Sequence, residues 1–159
     1  MRIGVTGHQI RAGIDWRWVR TSIKTQLSSM IGVTNGYSSL AIGADQIFAE
    51  ILLELQIHMC SVIPLPQYER FFHGEGLEKY EYLLARSDAI FLASESEPSR
   101  AFFEAGQYIV RESDILFAVW DGKPAQGVGG TGDVVSYARQ LGKAVLHFDT
   151  SKEAVEFLN

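Results

Sequence analysis

The chain has 159 residues, of which 47% are hydrophobic and 21% are charged, with a formal net charge of −5. This size and composition fit one globular domain with a sizeable core and exclude a disordered or fibrous protein. Because an acidic chain lacks the basic surface that grips polynucleotides, we expect no nucleic-acid partner. No apolar run is long enough to span a bilayer and no signal-peptide pattern is present, so we expect a cytoplasmic protein with no membrane partner. The single cysteine, Cys60, permits no internal disulfide, which fits a reducing compartment.

Strand-like and helix-like segments alternate through the first 63 residues. Short apolar runs at 3–6, 39–42 and 58–63 predict three strands. A helix with Asp15 as its N-cap is predicted after the first strand, because apolar residues recur there at helical spacing: Trp16, Val19, Ile23, Leu27 and Met30. A second helix is predicted before the third strand, with one apolar face: Ile47, Phe48, Ile51, Leu52 and Leu55.

The same alternation continues to the end of the chain. The predicted elements are a helix at 77–86, a buried strand at 89–93, a helix at 99–111, a strand at 115–120, a helix ending near Gly142 and a strand at 144–148. Ser99 is the predicted N-cap of its helix, and a short terminal helix is predicted from Ser151. Parallel strands need long crossovers, and the crossovers here have helical periodicity. The sequence therefore predicts a single α/β domain over 1–159, with a mostly parallel sheet of about six strands and helices on both faces.

A glycine-rich loop, Gly127-Val128-Gly129-Gly130-Thr131-Gly132-Asp133, separates the strand at 115–120 from the next helix. Glycine lets the backbone approach a ligand and tolerates positive φ, so such a loop can fold its amides around an anion. The order strand, loop, helix places that anion at a helix N-terminus, where the dipole favours negative charge. The loop predicts a phosphate site. A surface hairpin without a ligand is the alternative, because the spacing matches neither GxGxxG nor GxxxxGK[ST].

Small and polar residues follow several of the predicted strands. They include Thr6-Gly7-His8, Gly43-Ala44-Asp45 and Asp121-Gly122-Lys123. In parallel α/β sheets the ligand lies beyond the carboxyl ends of the strands, so these residues are expected to meet there. Their hydroxyl and carboxylate groups suit the hydroxyls of a sugar. Together with the glycine loop they indicate a ligand that contains ribose and phosphate.

Each candidate side chain also has a structural interpretation. His8 either contacts a base or phosphate or completes a turn. Asp45 either binds a ribose or complements the dipole of its helix, and Asp133 either caps the last long helix or accepts from a sugar hydroxyl. Arg100 and Glu104 lie four residues apart on one predicted helix, where they either face the ligand or form an exposed ion pair.

The aromatic segment 67–76 is predicted to be a packed loop, with a lid or a partner surface at 68–73 as alternatives. The four histidines and the lone cysteine lack metal-ligand spacing. We therefore expect no metal site, and we expect no cofactor.

Several motifs together resemble the SMF/DprA and LOG (SLOG) superfamily of Rossmann-like nucleotide-binding domains. The segments that carry the resemblance are Val5-Thr6-Gly7-His8, the run from Ser38 to Asp45, Leu65-Pro66-Gln67-Tyr68-Glu69, the run from Ser113 to Pro124, and Gly129-Gly130-Thr131-Gly132-Asp133. The resemblance covers most of the chain. It implies a Rossmann-like domain that binds a nucleotide with its phosphate on the Gly-Gly-Thr segment. LOG-like proteins are commonly dimers, so the resemblance also implies a homodimer.

Members of this superfamily are enzymes or sensors. The LOG enzymes hydrolyse the N-glycosidic bond of nucleoside 5′-monophosphates and resemble Pro-Gly-Gly-x-Gly-Thr-x-x-Glu at this loop. The present chain departs from that pattern, with Gln126 for the proline, Val128 for the second glycine and Val134 for the glutamate. For an N-glycosidase, Glu104 or Asp133 would have to supply the missing carboxylate.

These observations lead to three hypotheses. The first is a sensor or carrier that binds a nucleotide or nucleotide-derived ligand through Thr6, Gly7, His8, Gly43, Asp45, Asp121, Gly127, Gly129, Gly130, Thr131 and Gly132. The second is a nucleotide N-glycosidase with Glu104, Asp133 and Arg100 as catalytic residues. The third is a protein-interaction module that uses the aromatic segment 68–73.

Overall fold

A mostly parallel sheet forms the centre of the protein. The computed structural model describes residues 1–125 and 128–158. Within them the strands are β1 (Arg2–Gly7), β2 (Asn35–Ser38), β3 (His58–Ile63), β4 (Asp88–Phe91), β5 (Ile115–Trp120), β6 (Ala144–Asp149) and β7 (Ala154–Leu158). Their order across the sheet is β4-β3-β2-β1-β5-β6-β7, and only the β6–β7 pair among these is antiparallel. The predicted α/β architecture is confirmed.

Helices cover both faces of the sheet. The α-helices are α1 (Trp16–Ser29), α2 (Ala44–Glu54), α3 (Gly74–Leu84), α4 (Pro98–Glu112) and α5 (Thr131–Gln140). Buried residues of α1, α2 and α3 share one apolar cluster with the sheet, and those of α4 and α5 share a second. The two clusters place α1 to α3 on one face and α4 and α5 on the other, as expected for crossovers between parallel strands.

Helix α1 shows how sequence and packing agree. The Asp15 side chain accepts hydrogen bonds from the amides of Arg17 and Trp18 at 2.9 and 3.1 Å, so it is the N-cap that the sequence predicts. Three residues at helical spacing, Val19, Ile23 and Leu27, form its buried face.

The second strand lies earlier in the chain than the predicted 39–42. Strand β2 is Asn35–Ser38, and the chain leaves the sheet at Leu40, which has a φ of 60°. A glycine occupies the centre of this strand because the Leu52 side chain fills the space that a Cβ of Gly36 would take. The prediction placed the strand on the apolar residues at 39–42, whereas close packing around Gly36 places β2 at Asn35–Ser38.

Three other predictions require correction. The strand predicted to be buried at 89–93 is β4, an edge strand that pairs with β3 and leaves Phe91 68% exposed. Helix α4 starts at Pro98 with Glu97 rather than Ser99 as its N-cap, because proline suits the first helical position. The terminal segment forms β7 instead of a helix.

The origin of β7 is a tight turn after β6. Asp149 Oδ1 accepts from the amides of Ser151 and Lys152 and from the Ser151 hydroxyl, which imitates a helix N-cap. Glu153 then adopts a φ of 51°, and the chain returns antiparallel to β6. A left-handed residue ends any helix, so the turn becomes a hairpin.

Two further findings concern the described residues alone. Over 1–125 and 128–158, no helix combines the length and apolar character that crossing a bilayer requires. The same residues include no group of three or more His, Cys, Asp or Glu side chains placed to hold a metal ion.

Candidate functional site

A cavity of about 460 Å³ lies at the carboxyl ends of β1 and β5. These strands are neighbours in the sheet, but the chain leaves β1 toward α1 on one face, whereas it enters β5 from α4 on the other. Parallel α/β sheets bind ligands in the crevice where the connections diverge in this way. The volume is in the range of cavities that hold small molecules and cofactors.

Most of the predicted ligand-binding residues line the cavity. Those that line it are Thr6, Gly7, His8, Asp45, Asp121, Gly129, Gly130, Thr131 and Gly132. Gly43 is not among the lining residues; its φ of 114° and a hypothetical Cβ only 2.6 Å from the His8 carbonyl oxygen give it a packing role beside β1. Gly127 lies outside the described residues. No contact with a ligand tests any of these assignments, and they stay predictions.

The glycine loop leads directly into α5, and the N-terminus of this helix lies at the cavity. Gly130 is the N-cap and provides no side-chain hydrogen bond. Gly129 has a φ of 87°, and a Cβ there would lie 2.5 Å from the carbonyl oxygen of Ser99, so both conformation and space call for glycine. Among the described residues, the amides of Thr131 and Gly132 meet no backbone acceptor in the loop. Unpaired amides at a helix N-terminus favour an anion.

The Asp133 side chain is hydrogen-bonded to the glycine loop and does not line the cavity. Its Oδ2 atom accepts a hydrogen bond from the amide of Gly129 at 2.9 Å. Asp133 is therefore neither the N-cap of α5 nor a lining residue of the cavity. The carboxylate holds the turn that precedes the helix.

His8, Arg11 and Asp121 form a hydrogen-bonded cluster at the cavity wall. Arg11 contacts His8 Nε2 and Asp121 Oδ2, both at 2.9 Å, and the Asp121 amide donates to the same His8 nitrogen at 3.3 Å. Burial and the charge of Arg11 lower the pKa of His8, although Asp121 opposes the shift. His8 is therefore neutral at pH 7, with Nε2 as an acceptor and the proton on Nδ1. Asp121 Oδ1 lies 3.4 Å from that nitrogen but receives no proton from it.

Asp121 stays ionised and fixes the segment that follows β5. Burial raises its pKa, but the Lys123 amide, Arg11 and His8 together outweigh that effect and leave the pKa below its usual value. The Lys123 amide donates to Asp121 Oδ1 at 3.1 Å, and the Trp120 indole donates to the Lys123 carbonyl at 2.7 Å. The backbone of Lys123 is thus fixed at the cavity, while its side chain is exposed.

Asp45 is a carboxylate in the buried part of the cavity wall. It lies in the first turn of α2 and is 8% exposed. Burial raises its pKa to about 7, and the amides of Ala41 and Ser39 oppose that shift only in part. A desolvated carboxylate with such a pKa marks a candidate functional group.

An aromatic wall lies beside Asp45, formed by Tyr68, Phe71, Phe72 and Phe102, all of which line the cavity. Phe71 and Phe102 meet edge to face at 5.2 Å between ring centroids, and Tyr68 meets Phe72 in the same way at 5.0 Å. The sequence predicted a packed aromatic loop over 67–76. The rings do pack, but the segment forms a short 3₁₀ helix at Tyr68–Phe71 and enters α3 at Gly74. Their position at the cavity was missed, although the loop follows β3 at the carboxyl edge of the sheet.

The other two predicted catalytic residues lie away from the cavity lining. Glu104 accepts hydrogen bonds from the hydroxyls of Ser94 and Ser96 at 2.6 and 2.8 Å, and Arg100 Nε lies 3.7 Å from it. The two serine hydroxyls lower the pKa of Glu104. Neither Arg100 nor Glu104 lines the cavity. Their catalytic roles stay predictions.

Comparison with known proteins identifies relatives by structure. No protein-family model matches the chain, and no curated protein matches it in sequence. DNA processing protein A (DprA) from Streptococcus pneumoniae has a TM-score of 0.63 at 16% identity, covering 92% of this chain and 49% of that one. DprA from Helicobacter pylori has a TM-score of 0.65 at 14% identity, covering 92% and 64%. The molybdenum cofactor binding protein from Rippkaea orientalis has a TM-score of 0.56 at 16% identity, covering 92% and 74%.

These similarities establish the fold and correct one prediction. The chain spans about half of the first DprA chain and under two thirds of the second. The Helicobacter pylori structure is described for its single-stranded DNA binding mode. The prediction of no nucleic-acid partner, which rested on net charge, is therefore wrong as an exclusion, because a local surface can contact a strand whatever the charge of the whole chain.

Proposed function

We propose that this chain, which has the Rossmann-like fold of the SMF/DprA and LOG superfamily, binds a nucleotide or nucleotide-derived ligand in the cavity between β1, β5 and α5. The observation that carries the proposal is the convergence of three features on one cavity. They are the N-terminus of α5, the polar cluster after β1 and β5, and the aromatic wall. A nucleotide has a phosphate, a sugar and a flat base to match them.

The phosphate is expected at the start of α5. The amides of Thr131 and Gly132 and the helix dipole favour an anion there. Lys123 lines the same cavity, and its exposed ammonium adds a positive charge beside the loop. Arg11, which forms hydrogen bonds with Asp121 and His8, also lines the cavity and contributes a second positive charge.

The base is expected against the aromatic wall. Tyr68 and Phe72 are almost fully buried, whereas Phe71 is 37% exposed. A ring that stacks on aromatic side chains gains about 1–3 kcal/mol per base, as in single-strand binding proteins. The ribose would then lie between the wall and the loop, near Thr6 and Asp121.

Binding without turnover is the function that the site supports best. The carboxylates predicted to be catalytic, Glu104 and Asp133, are not among the lining residues of the cavity, and each accepts hydrogen bonds from other groups of the protein. A nucleotide unit within a single strand presents the same phosphate and base, so short oligonucleotides belong among the candidate ligands.

A thermal-shift screen with product analysis tests the proposal. The purified protein is heated with nucleoside monophosphates, ADP-ribose, NAD, cyclic nucleotides and short single-stranded oligonucleotides, and each mixture is then chromatographed for free base. A ligand at a hundred times its Kd adds about 2.7 kcal/mol of stability. A shift with the ligand intact supports a sensor or carrier, and a shift with released base supports the N-glycosidase. No shift with any of them contradicts nucleotide binding.

A further inference from the structure

Asp45 and Tyr68 are buried polar groups that the phosphate and sugar contacts do not use. Both line the cavity, with 8% and 4% of their surface exposed. Burial and the nearby charge of Asp45 raise the pKa of Tyr68, so its hydroxyl stays protonated. Among residues 1–125 and 128–158, no hydrogen bond contributes to the pKa of that hydroxyl.

The Asp45 carboxylate has no cationic partner in the described chain. Its pKa is set by burial and by two backbone amides, with no contribution from a Lys, Arg or His side chain. A buried carboxylate is costly unless hydrogen-bond donors satisfy it. A ligand that brings N–H groups to Asp45 would therefore be favoured, and one that brings an acceptor would be rejected.

Asp45 and Tyr68 offer different hydrogen-bonding groups to a ligand in the cavity that they both line. An ionised carboxylate only accepts hydrogen bonds, through two oxygens, and a protonated tyrosine can donate one. The complementary ring edge has a carbonyl oxygen, a ring N–H and an exocyclic amino group in a row. Guanine and pterins share that edge as a 2-aminopyrimidinone, whereas adenine has an unprotonated ring nitrogen at the central position.

We propose that Asp45 and Tyr68 select a ligand whose ring is a 2-aminopyrimidinone, with the carboxylate accepting from its ring N–H and amino group and the hydroxyl donating to its carbonyl oxygen. This inference rests on the proposed function, because it names the ring that the nucleotide site accepts. The aromatic wall would pack against the flat faces of the ligand ring, and Asp45 and Tyr68 would form hydrogen bonds with its edge.

Calorimetric titration at pH 8 with four nucleotides tests the selection. GMP presents both donors, IMP lacks the amino group, XMP replaces it with an acceptor, and AMP lacks the central N–H. GMP is expected to bind at least tenfold more tightly than IMP and at least a hundredfold more tightly than AMP or XMP, because hydrogen bonds to a charged group are stronger than those between neutral groups. Biopterin in parallel distinguishes the two sources of the ring: tight binding of biopterin with weak binding of GMP assigns the site to pterins.

Two variants locate the effect at these residues. Asp45→Asn is expected to abolish the preference for GMP over AMP while leaving the Kd of AMP within about threefold, since one oxygen becomes a donor. Tyr68→Phe keeps the ring and should weaken GMP at least threefold, which tests the pattern even if Asp45→Asn fails to fold. Asp88→Asn, an exposed aspartate on β4, is the matched control and should retain the preference.

The outcomes separate this inference from the proposed function. Equal affinity for GMP and AMP with no tight binding of biopterin, or a preference that survives in both variants, overturns the inference and leaves nucleotide binding intact. Failure of all four nucleotides and biopterin to bind, together with no thermal shift from any ligand of the wider screen, contradicts the proposed function itself.

Discussion

The amide of Gly129 donates to Asp133 Oδ2 at 2.9 Å, so the carboxylate closes the glycine loop on itself. This contact occupies Asp133 Oδ2, while the amides of Thr131 and Gly132 in the first turn of α5 meet no backbone acceptor among the described residues. Asp133→Ala is expected to loosen the turn and weaken nucleotide binding about tenfold, and Asp133→Asn, which keeps an acceptor oxygen, should weaken it less. Calorimetric Kd values for both variants check this order. A large loss of base release with unchanged Kd in Asp133→Asn would instead make Asp133 catalytic.

Lys123 is expected to contribute charge to the phosphate site. Replacing it with methionine removes the ammonium but keeps most of the chain length, so the Kd of a nucleoside monophosphate should rise about fivefold at low salt. The difference should shrink as salt is added, because exposed charges are screened. Lys79→Met, which removes an exposed lysine paired with Glu50 and Glu75 on the α2–α3 side, is the control. Equal losses in the two variants would show that Lys123 has no specific role.

Base selection is expected to depend on pH through Asp45. The carboxylate must be ionised to accept N–H groups, and burial raises its pKa to about 7. The ratio of AMP Kd to GMP Kd should therefore fall about tenfold from pH 8 to pH 6. The ratio cancels the titration of the phosphate, which the two ligands share. His8, whose pKa burial lowers, stays neutral across most of this window, and Tyr68 stays protonated. A ratio that is constant with pH would contradict the role of Asp45.

Asp45 is also expected to influence the pH dependence of stability. Its pKa is about 7 in the folded protein, against about 3.9 in an unfolded chain. The folded state therefore binds the proton more tightly. The resulting stabilisation is complete below about pH 4 and is lost as the pH rises through 7. Relative to Asp45→Asn, the wild type should lose about 2 kcal/mol of unfolding free energy between pH 5 and pH 8. Urea denaturation of both proteins at each pH measures this, and a difference that does not change with pH would rule it out.

Arg11 is expected to hold the pKa of His8 below its usual value. Burial is the larger cause and the Arg11 charge is the second. Arg11→Ala should raise the pKa of His8, since Asp121 then acts on the ring without the opposing cation. Proton NMR titration of the His8 ring measures the change, with Arg17→Ala on the exposed side of α1 as the control. An unchanged or lower pKa in Arg11→Ala would show that Arg11 does not act on His8.

Residues with strong local signals account for the parts of the fold that sequence predicts well. Helix α1 follows from the Asp15 N-cap and the spacing of its apolar face, and β5 follows from its continuous apolar run. The position of β2 was not predicted because the strand contains Gly36, whose missing side chain leaves room for Leu52 of α2. Packing between residues that are far apart in the sequence produces no local hydrophobic pattern from which the strand could be predicted.

The site was predictable where it follows strand ends and was missed where it depends on distant elements. Thr6 lies at the carboxyl end of β1, and His8 and Asp121 directly follow β1 and β5, so the fold alone brings them to the cavity. Arg11 joins them through hydrogen bonds to residues on both strand ends, and Phe102 reaches the aromatic wall from α4. Those contacts depend on how the elements pack, which spacing along the chain does not encode.

Amide NMR of the ¹⁵N-labelled protein, titrated with GMP and AMP, tests the central claim most directly, because it locates a ligand without assuming its chemistry. Nucleotide binding in the cavity predicts saturable shifts at Gly130, Thr131 and Gly132, with smaller shifts at His8 and around Asp45. Saturating nucleotide that leaves these amides unchanged, or that perturbs the exposed edge at β4 instead, would contradict the claim.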